Sequence, residues 1–246
     1  MRCALISDVH GNYQALRAVL DDIGRRGISE IYCLGDIVGY GADPSQCLKE
    51  ILENTDQIVV GNHDHGVVGL TDLSFFNTNA RKGAEWSAQA LAPEDRKILK
   101  GLPLVMRGLS GTGEFLAVHS TPHRPEDWHY ILSLDEAEYQ FEQFSEPLCF
   151  VGHSHQPAFW ECDSRGKCSI AGREYVHLEA GRRYIVNVGS VGQPRDGDPR
   201  AAYAICDRER MEVSIRRVEY DVKTAQQRII KAGLPGRLAE RLASGL

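Results

Sequence analysis

Two hydrophobic rhythms alternate along the first quarter of the chain. Residues 3–7 (CALIS) form a short apolar run that the polar stretch DVHGN breaks. Such a run, followed by a helical pattern, reads as a strand buried in a parallel or mixed sheet. Over residues 13–26, Leu16, Val19, Leu20 and Ile23 recur at three- and four-residue spacing. That spacing predicts an amphipathic helix with Asn12 as its N-cap. IYCL (31–34) is the next strand, ending in GDIVGYG; Asp43 then caps a helix over 44–54 with Pro44 in its first position. IVV (58–60) is read as a third strand, ending in the loop GNHDHG. Strand, loop and helix in repetition are the pattern of an α/β fold.

Helices are expected near 77–91 and from Pro93, and the composition shifts after residue 101. Beyond it, helices are expected over 134–144 and over 221–233, with another turn or two in PGRLAERL. LPLVMRG and FLAVHS read as strands about the turn SGTGE, and LCFVG as a strand ending in HSH. AFWEC, YVHLE, YIVNVG, AAYAICD and MEVSIRRVEY follow as short strands joined by Gly/Asp/Arg turns, which implies antiparallel hairpins. No linker, repeat or low-complexity run interrupts the 246 residues, so one domain spanning 1–246 is expected.

Composition narrows the function classes. Hydrophobic residues are 42% and charged residues 25%, which is ordinary for a soluble chain. A net charge of −6 gives no reason to expect long nucleic acid or an anionic membrane as partner, yet leaves a small phosphate ester compatible. No run approaches a membrane span, so the expected location is cytoplasmic. Cys3, Cys33, Cys149 and Cys206 lie in apolar runs and read as buried thiols of a reducing compartment. Cys162 and Cys168 flank DSRGK; a hairpin disulfide there is the less favoured reading.

Five short motifs each follow an apolar run and are rich in Asp, His or Asn: SDVHGN (7–12), GDIVGYG (35–41), GNHDH (61–65), VHS (118–120) and GHSH (152–155). Carboxyl ends of strands line the ligand crevice of open α/β sheets. Asp8, His10, Asp36, Asn62, His119, His153 and His155 would therefore meet on one rim. In DxH and HxH, residues two apart on an extended chain point the same way. Carboxylate with imidazole suits Mn, Fe, Zn, Co or Ni. A strand-end carboxylate such as Asp36 suits a bridge between two ions about 3.5–4 Å apart.

In this order the five motifs resemble the calcineurin-like metallophosphoesterase superfamily, and NVGSVGQPRDGDPRAAYAI (187–205) resembles its small stand-alone bacterial and archaeal members. The resemblance implies a four-layer α/β/β/α sandwich with two mixed β-sheets. It implies two metal ions per chain: Asp8, His10 and His155 on the first, Asn62, His119 and His153 on the second, and Asp36 between them. It further implies in-line attack on phosphorus by a hydroxide between the metals, with His63 as proton donor or phosphoryl contact and Asp64 orienting it. Manganese is the expected metal, with iron, zinc, nickel or cobalt as alternatives.

Asn12, Tyr40 and Arg195 are candidate substrate contacts; Asn12 reads equally well as an N-cap alone. His123, Trp128 and His129 fall on a long loop that is either solvated or a substrate wall, and His65 reads as a loop histidine. Protein phosphatases of the superfamily carry Asp–Arg where this chain has Gly39–Tyr40, which points away from them. The expected reaction is hydrolysis of a phosphomonoester or small phosphodiester. The alternatives are a phosphodiesterase for cyclic nucleotides or other small diesters, and a silent scaffold on the same fold.

Overall fold

A computed structural model of the chain describes residues 2–110 and 113–246. The first half runs β1 (Arg2–Ile6), α1 (Tyr13–Arg25), β2 (Glu30–Cys33), α2 (Pro44–Asn54), α3 (Asn62–Val67), α4 (Thr78–Ala90), α5 (Pro93–Gly101), β3 (Val105–Ser110) and β4 (Gly113–Val118). The second half runs α6 (Leu134–Phe141), β5 (Leu148–Val151), β6 (Ala158–Cys162), β7 (Cys168–Gly172), β8 (Tyr175–His177), β9 (Arg183–Asn187), β10 (Ala201–Asp207), β11 (Glu212–Val218), α7 (Val222–Lys231) and α8 (Gly236–Leu242).

The strands form two sheets, ordered β2-β1-β10-β11-β8 and β3-β4-β5-β9-β6-β7. Both are mixed. In the first, β1 is parallel to β2 and antiparallel to β10. In the second, β4, β5 and β9 are parallel, while β3, β6 and β7 pair antiparallel.

Period-two alternation separates the core into layers. Cys3 and Leu5 of β1 face Phe115, Phe150, Tyr184 and Val186 of the second sheet. The alternate residues Ala4 and Ile6 face Leu16, Val19, Leu20 and Ile23 of α1, with Leu48 and Ile51 of α2. On the far side, Leu116, Cys149 and Ile185 pack against Ala137 and Phe141 of α6. Helix, sheet, sheet, helix is the resulting order.

Several expectations change in detail. IVV (58–60) does not form a ladder: a single parallel bridge joins Ile58 to Cys33, and the Val60 amide turns to the Pro103 carbonyl. The GNHDHG loop is helix α3. Asn12 does cap α1, accepting from the Ala15 amide at 3.2 Å. Asp43 makes no side-chain cap on α2, because its carboxylate is taken by Arg228 of α7. Cys162 and Cys168 stand opposite each other across β6 and β7 and are joined as a disulfide, the reading the sequence disfavoured. The hairpin read there from the sequence is present, and its register sets the two cysteines directly opposite each other. The turn expected at SGTGE falls partly outside the described residues.

Candidate metal centre

All five motifs meet where the two sheets present their strand ends. Asp8 and His10 follow β1, Asp36 follows β2, Asn62 and His63 open α3, His119 follows β4, and His153 and His155 follow β5. Each is buried. Asp8, His10, Asp36, His153 and His155 hold left-handed backbone conformations, with φ between 51° and 66°. An L-residue there costs about 1–2 kcal/mol, so the surroundings must enforce it. They do so through backbone latches: the Asp8 amide donates to the Gly35 carbonyl at 3.0 Å, the His10 amide to Asp36 at 2.8 Å, and the Gly41 amide to His10 at 2.7 Å. The His153 amide donates to Asp8 Oδ2 at 3.0 Å, tying the two sheets together at the site.

This backbone is not extended as the DxH and HxH reading supposed, although Asp8 and His10 still share one cluster. The two histidines of HSH serve different groups. Asp8, His10 and His155 form one cluster able to hold a metal ion; Asp36, His119 and His153 form a second; His10, Asp36 and His63 form a third between them. His155 Nε2 lies 3.1 Å from Asp8 Oδ1, and His119 Nε2 lies 3.4 Å from Asp36 Oδ2. The Asp36 carboxylate also lies 3.5 Å from His10 Nε2, so it touches both clusters.

The outward ring nitrogens fix the tautomers. A carbonyl can only accept, so Nδ1 carries the proton in His10, His119 and His155, which donate to Val38 at 3.1 Å, Leu34 at 2.7 Å and Gln193 at 2.6 Å. His153 is reversed: Nε2 donates to the Trp128 carbonyl at 2.9 Å. The inward nitrogens then meet as lone pairs, His10 against His155 at 3.1 Å and His119 against His153 at 3.2 Å. Asp8 Oδ1 and Asn62 Oδ1 are buried with no hydrogen-bond partner among the described residues. A shared cation is the partner such a donor set fits; a proton is the weaker substitute.

Electrostatics agree for His10, His153 and His155, while in the metal-free protein a proton stands in for a cation on the inward nitrogen of His119. Burial holds His10 well below the ordinary histidine value and His155 below it; burial sets His63 at about 4 and His153 at about 3. Burial also opposes the charge on His119, but the carboxylates of Asp36 and Asp8 outweigh it and raise the ring to about 9. Burial works upward on Asp36 and is overcome by His119 and His63, which hold it well below the carboxylate range. Asp64 rises to about 7, through burial and then the charge of Asp36.

Two glycines set the spacing. A Cβ on Gly61 would overlap Asp36 Oδ1 and the Asp36 amide. Gly39, at φ +129°, lets His63 in: a Cβ there would stand 2.6 Å from His63 Nδ1.

His63 is buried with Nδ1 lacking a hydrogen-bond partner among the described residues. Its ring packs between Tyr40, centroids 4.6 Å apart, and Phe76, at 4.8 Å. Asp64 does not orient it, contrary to expectation. The Asp64 carboxylate accepts instead from the Val38 and Gly61 amides, each at 3.1 Å, joining the second motif to the third. Asn12 also departs from its expected substrate role: Oδ1 caps α1 and Nδ2 donates to the Gly192 carbonyl at 2.8 Å, so its amide is committed to the scaffold. Arg195 is on the rim: its guanidinium donates to Tyr40 Oη at 3.2 Å and to Gln193 Oε1 at 3.0 Å.

A cleft of about 490 Å³ opens above Asn62, His63 and His153. Tyr40, Phe75, Phe76, Trp128 and Tyr130 line it. Of the three loop residues read as either solvated or a substrate wall, Trp128 lines this cleft, while His123 and His129 line a neighbouring hollow that Trp128 also borders. His65 is half-buried edge-on against Trp128, centroids 5.4 Å apart. Phe75, Phe76 and Tyr130 were not foreseen, because isolated aromatics in polar loops carry no periodic signal.

The fold and the paired Asp/His clusters define a class, and comparison with known proteins identifies it. The calcineurin-like phosphoesterase superfamily domain matches residues 1–211, and the chain belongs to that superfamily of ester hydrolases. Over 243 residues it is 41% identical to an uncharacterized protein of Methanocaldococcus jannaschii, covering 98% of this chain and 97% of the other. A metallophosphoesterase of Sphaerobacter thermophilus superposes with a TM-score of 0.85 at 40% identity, over 100% of this chain and 99% of that one. A hypothetical protein of Pyrococcus horikoshii OT3 shares the fold, with a TM-score of 0.79 at 22% identity, over 100% and 98% of the chains.

Proposed function

We propose that the chain, acting as one catalytic domain, hydrolyses a phosphomonoester or small phosphodiester with two divalent metal ions. Asp8, His10 and His155 would hold one ion, Asn62, His119 and His153 the other, and Asp36 both. The observation that carries this reading is the paired, inward-facing lone pairs of four tautomer-fixed histidines around two carboxylates. Two such ions, when bound, lower the pKa of water and neutralise charge on phosphoryl oxygens. Manganese is the first choice for a mixed carboxylate–imidazole set.

The protein's own groups supply the rest. His63 faces the cleft beside Asn62 and would protonate the leaving oxygen. In the free protein burial keeps its ring neutral. An arriving phosphoryl anion adds negative charge beside it and raises its proton affinity. Arg195, held by Tyr40 and Gln193, would grip a phosphoryl oxygen. The partner is a small molecule, in keeping with the size of the cleft. Five cysteines are free and buried, which favours a reducing cytoplasm, against the single Cys162–Cys168 disulfide. No helix among the described residues is long and apolar enough to cross a membrane.

The test is metal content and hydrolysis of a generic aryl phosphate by the manganese-loaded protein. Near two ions per chain, with turnover lost in Asp36→Ala, is the expected result. Turnover that persists in rigorously metal-free protein would refute it.

A further inference from the structure

The proposed chemistry uses the floor of the cleft and leaves its walls unexplained. Phe76 and Tyr40 pack on His63, and the Trp128 carbonyl holds His153. Phe75 has no such task. It ends the short 3₁₀ turn Leu73–Phe75, lines the cleft and is 86% exposed. Tyr130, which also lines the cleft, lays one face on His153, with centroids 4.1 Å apart and planes only 14° from parallel. Tyr130 is nevertheless 45% exposed, so its second face is open.

The walls come from different segments, one around 75–77 and one around 127–130. Trp128 Nε1 donates to Thr71 Oγ1 at 3.1 Å and ties them together at one end. Exposed rings lining a cleft with a polar floor mark a binding surface for apolar, planar groups. A polar wall group accompanies them. Asn77 Oδ1 accepts from the Asn79 and Ala80 amides, which leaves its Nδ2 as a donor on the cleft wall. The volume suits a small molecule rather than a polymer.

We propose that the cleft stacks a planar aromatic ring of the substrate between Phe75 and the open face of Tyr130. The preferred esters are then those whose alcohol carries an aryl ring or a nucleobase. This inference rests on the phosphoesterase reading for its floor and on Phe75 and Tyr130 for its walls.

Adenosine 5′-monophosphate and ribose 5-phosphate separate the two, since both expel the same primary alkoxide and only one carries a ring. With manganese-loaded protein, kcat/KM should favour the nucleotide by roughly tenfold, the size expected of aromatic pairing. Phe75→Ala and Tyr130→Leu should collapse that ratio towards unity, and Phe75→Tyr should restore it. Phenyl and 1-naphthyl phosphate form a second pair. A preference for the naphthyl ester as well indicates that any planar ring is taken; a preference confined to the nucleotide indicates that Asn77 reads the base edge, and both outcomes support the ring site. Equal kcat/KM within each pair, or a ratio indifferent to Phe75→Ala, overturns it while leaving hydrolysis intact. If no ester is turned over, equilibrium binding decides: tighter binding of the nucleotide that Phe75→Ala removes sustains the ring site without the hydrolase, and equal or absent binding sinks it.

Discussion

Replacing Gly61 with Ala adds one methyl group at the most crowded point of the site. That methyl would overlap Asp36 Oδ1 and the Asp36 amide, so the carboxylate has to move. Moving it breaks the hydrogen bond it accepts from the His63 amide at 2.8 Å. Overpacking a rigid site costs about 1–3 kcal/mol, and a buried hydrogen bond to a charged group contributes about 1.5–3 kcal/mol. The expected loss is roughly 3–5 kcal/mol, which for a chain of this length lowers Tm by about 8–15 °C. The same substitution at Gly24, inside α1 with nothing within 4 Å, should stabilise by about 0.5–1 kcal/mol through helix propensity. Scanning calorimetry of both variants, beside metal analysis, gives the answer. Because Asp36 touches both clusters, Gly61→Ala should lose affinity for both ions together. A Gly61→Ala protein that melts within about 2 °C of the parent and keeps its full metal content would show that Gly61 does not set the Asp36 position.

Other outcomes follow from the same geometry. His63→Gln should lower kcat by about 10²–10⁴ on an ester with a poor leaving group and much less on an activated aryl ester, measured in steady state; equal losses on both would refute proton donation. Treatment with EDTA should abolish turnover and manganese should restore it, and colorimetric assay of the chelated protein checks this. The pH dependence of the metal-free protein is also fixed in sign. His63 and His153, at about 4 and about 3, refuse protons that the unfolded chain accepts below its ordinary value near 6.5, so stability falls as pH drops from there. His119 holds its proton up to about 9, so its contribution fades as pH rises through that value. Melting temperatures of metal-free protein should therefore peak near neutrality, and a monotonic rise towards pH 4 would contradict the burial argument.

Much of this site was legible because metal ligands are drawn from few residue types and sit where apolar runs stop. Asp8, His10, Asp36, Asn62, His119, His153 and His155 all carry that signal, and the structure brings all seven together. Their division into clusters came only from the family resemblance and was not legible in the residue pattern itself. It depends on left-handed backbone at Asp8, His10, Asp36, His153 and His155, which no residue pattern other than glycine advertises. The same limit explains Asp64 and Asn12: whether a polar side chain turns to the cleft or to a nearby amide is decided by loop geometry. For the sheets, periodicity identified the strands but not their partners, since β1 finds β10 across nearly the whole chain. Residues 58–60 have a strand's composition but keep only one bridge to β2, because the Val60 amide turns away to the Pro103 carbonyl.

That pairing has a consequence for how the protein comes into being. Strand β1 lies between β2 and β10, and the Ser190 hydroxyl and Gly192 amide, on the segment leading into β10, both donate to the Asp8 carbonyl. The first ligand to leave the ribosome is thus fixed by residues made some 180 positions later. Non-local pairing of this kind makes for slow folding. Until β10 docks, Asp8 and His10 belong to a loose loop with no reason to choose one metal over another. On the proposed function, metal selection would be a late act of folding, performed by a nearly finished chain on whatever ions the compartment then supplies.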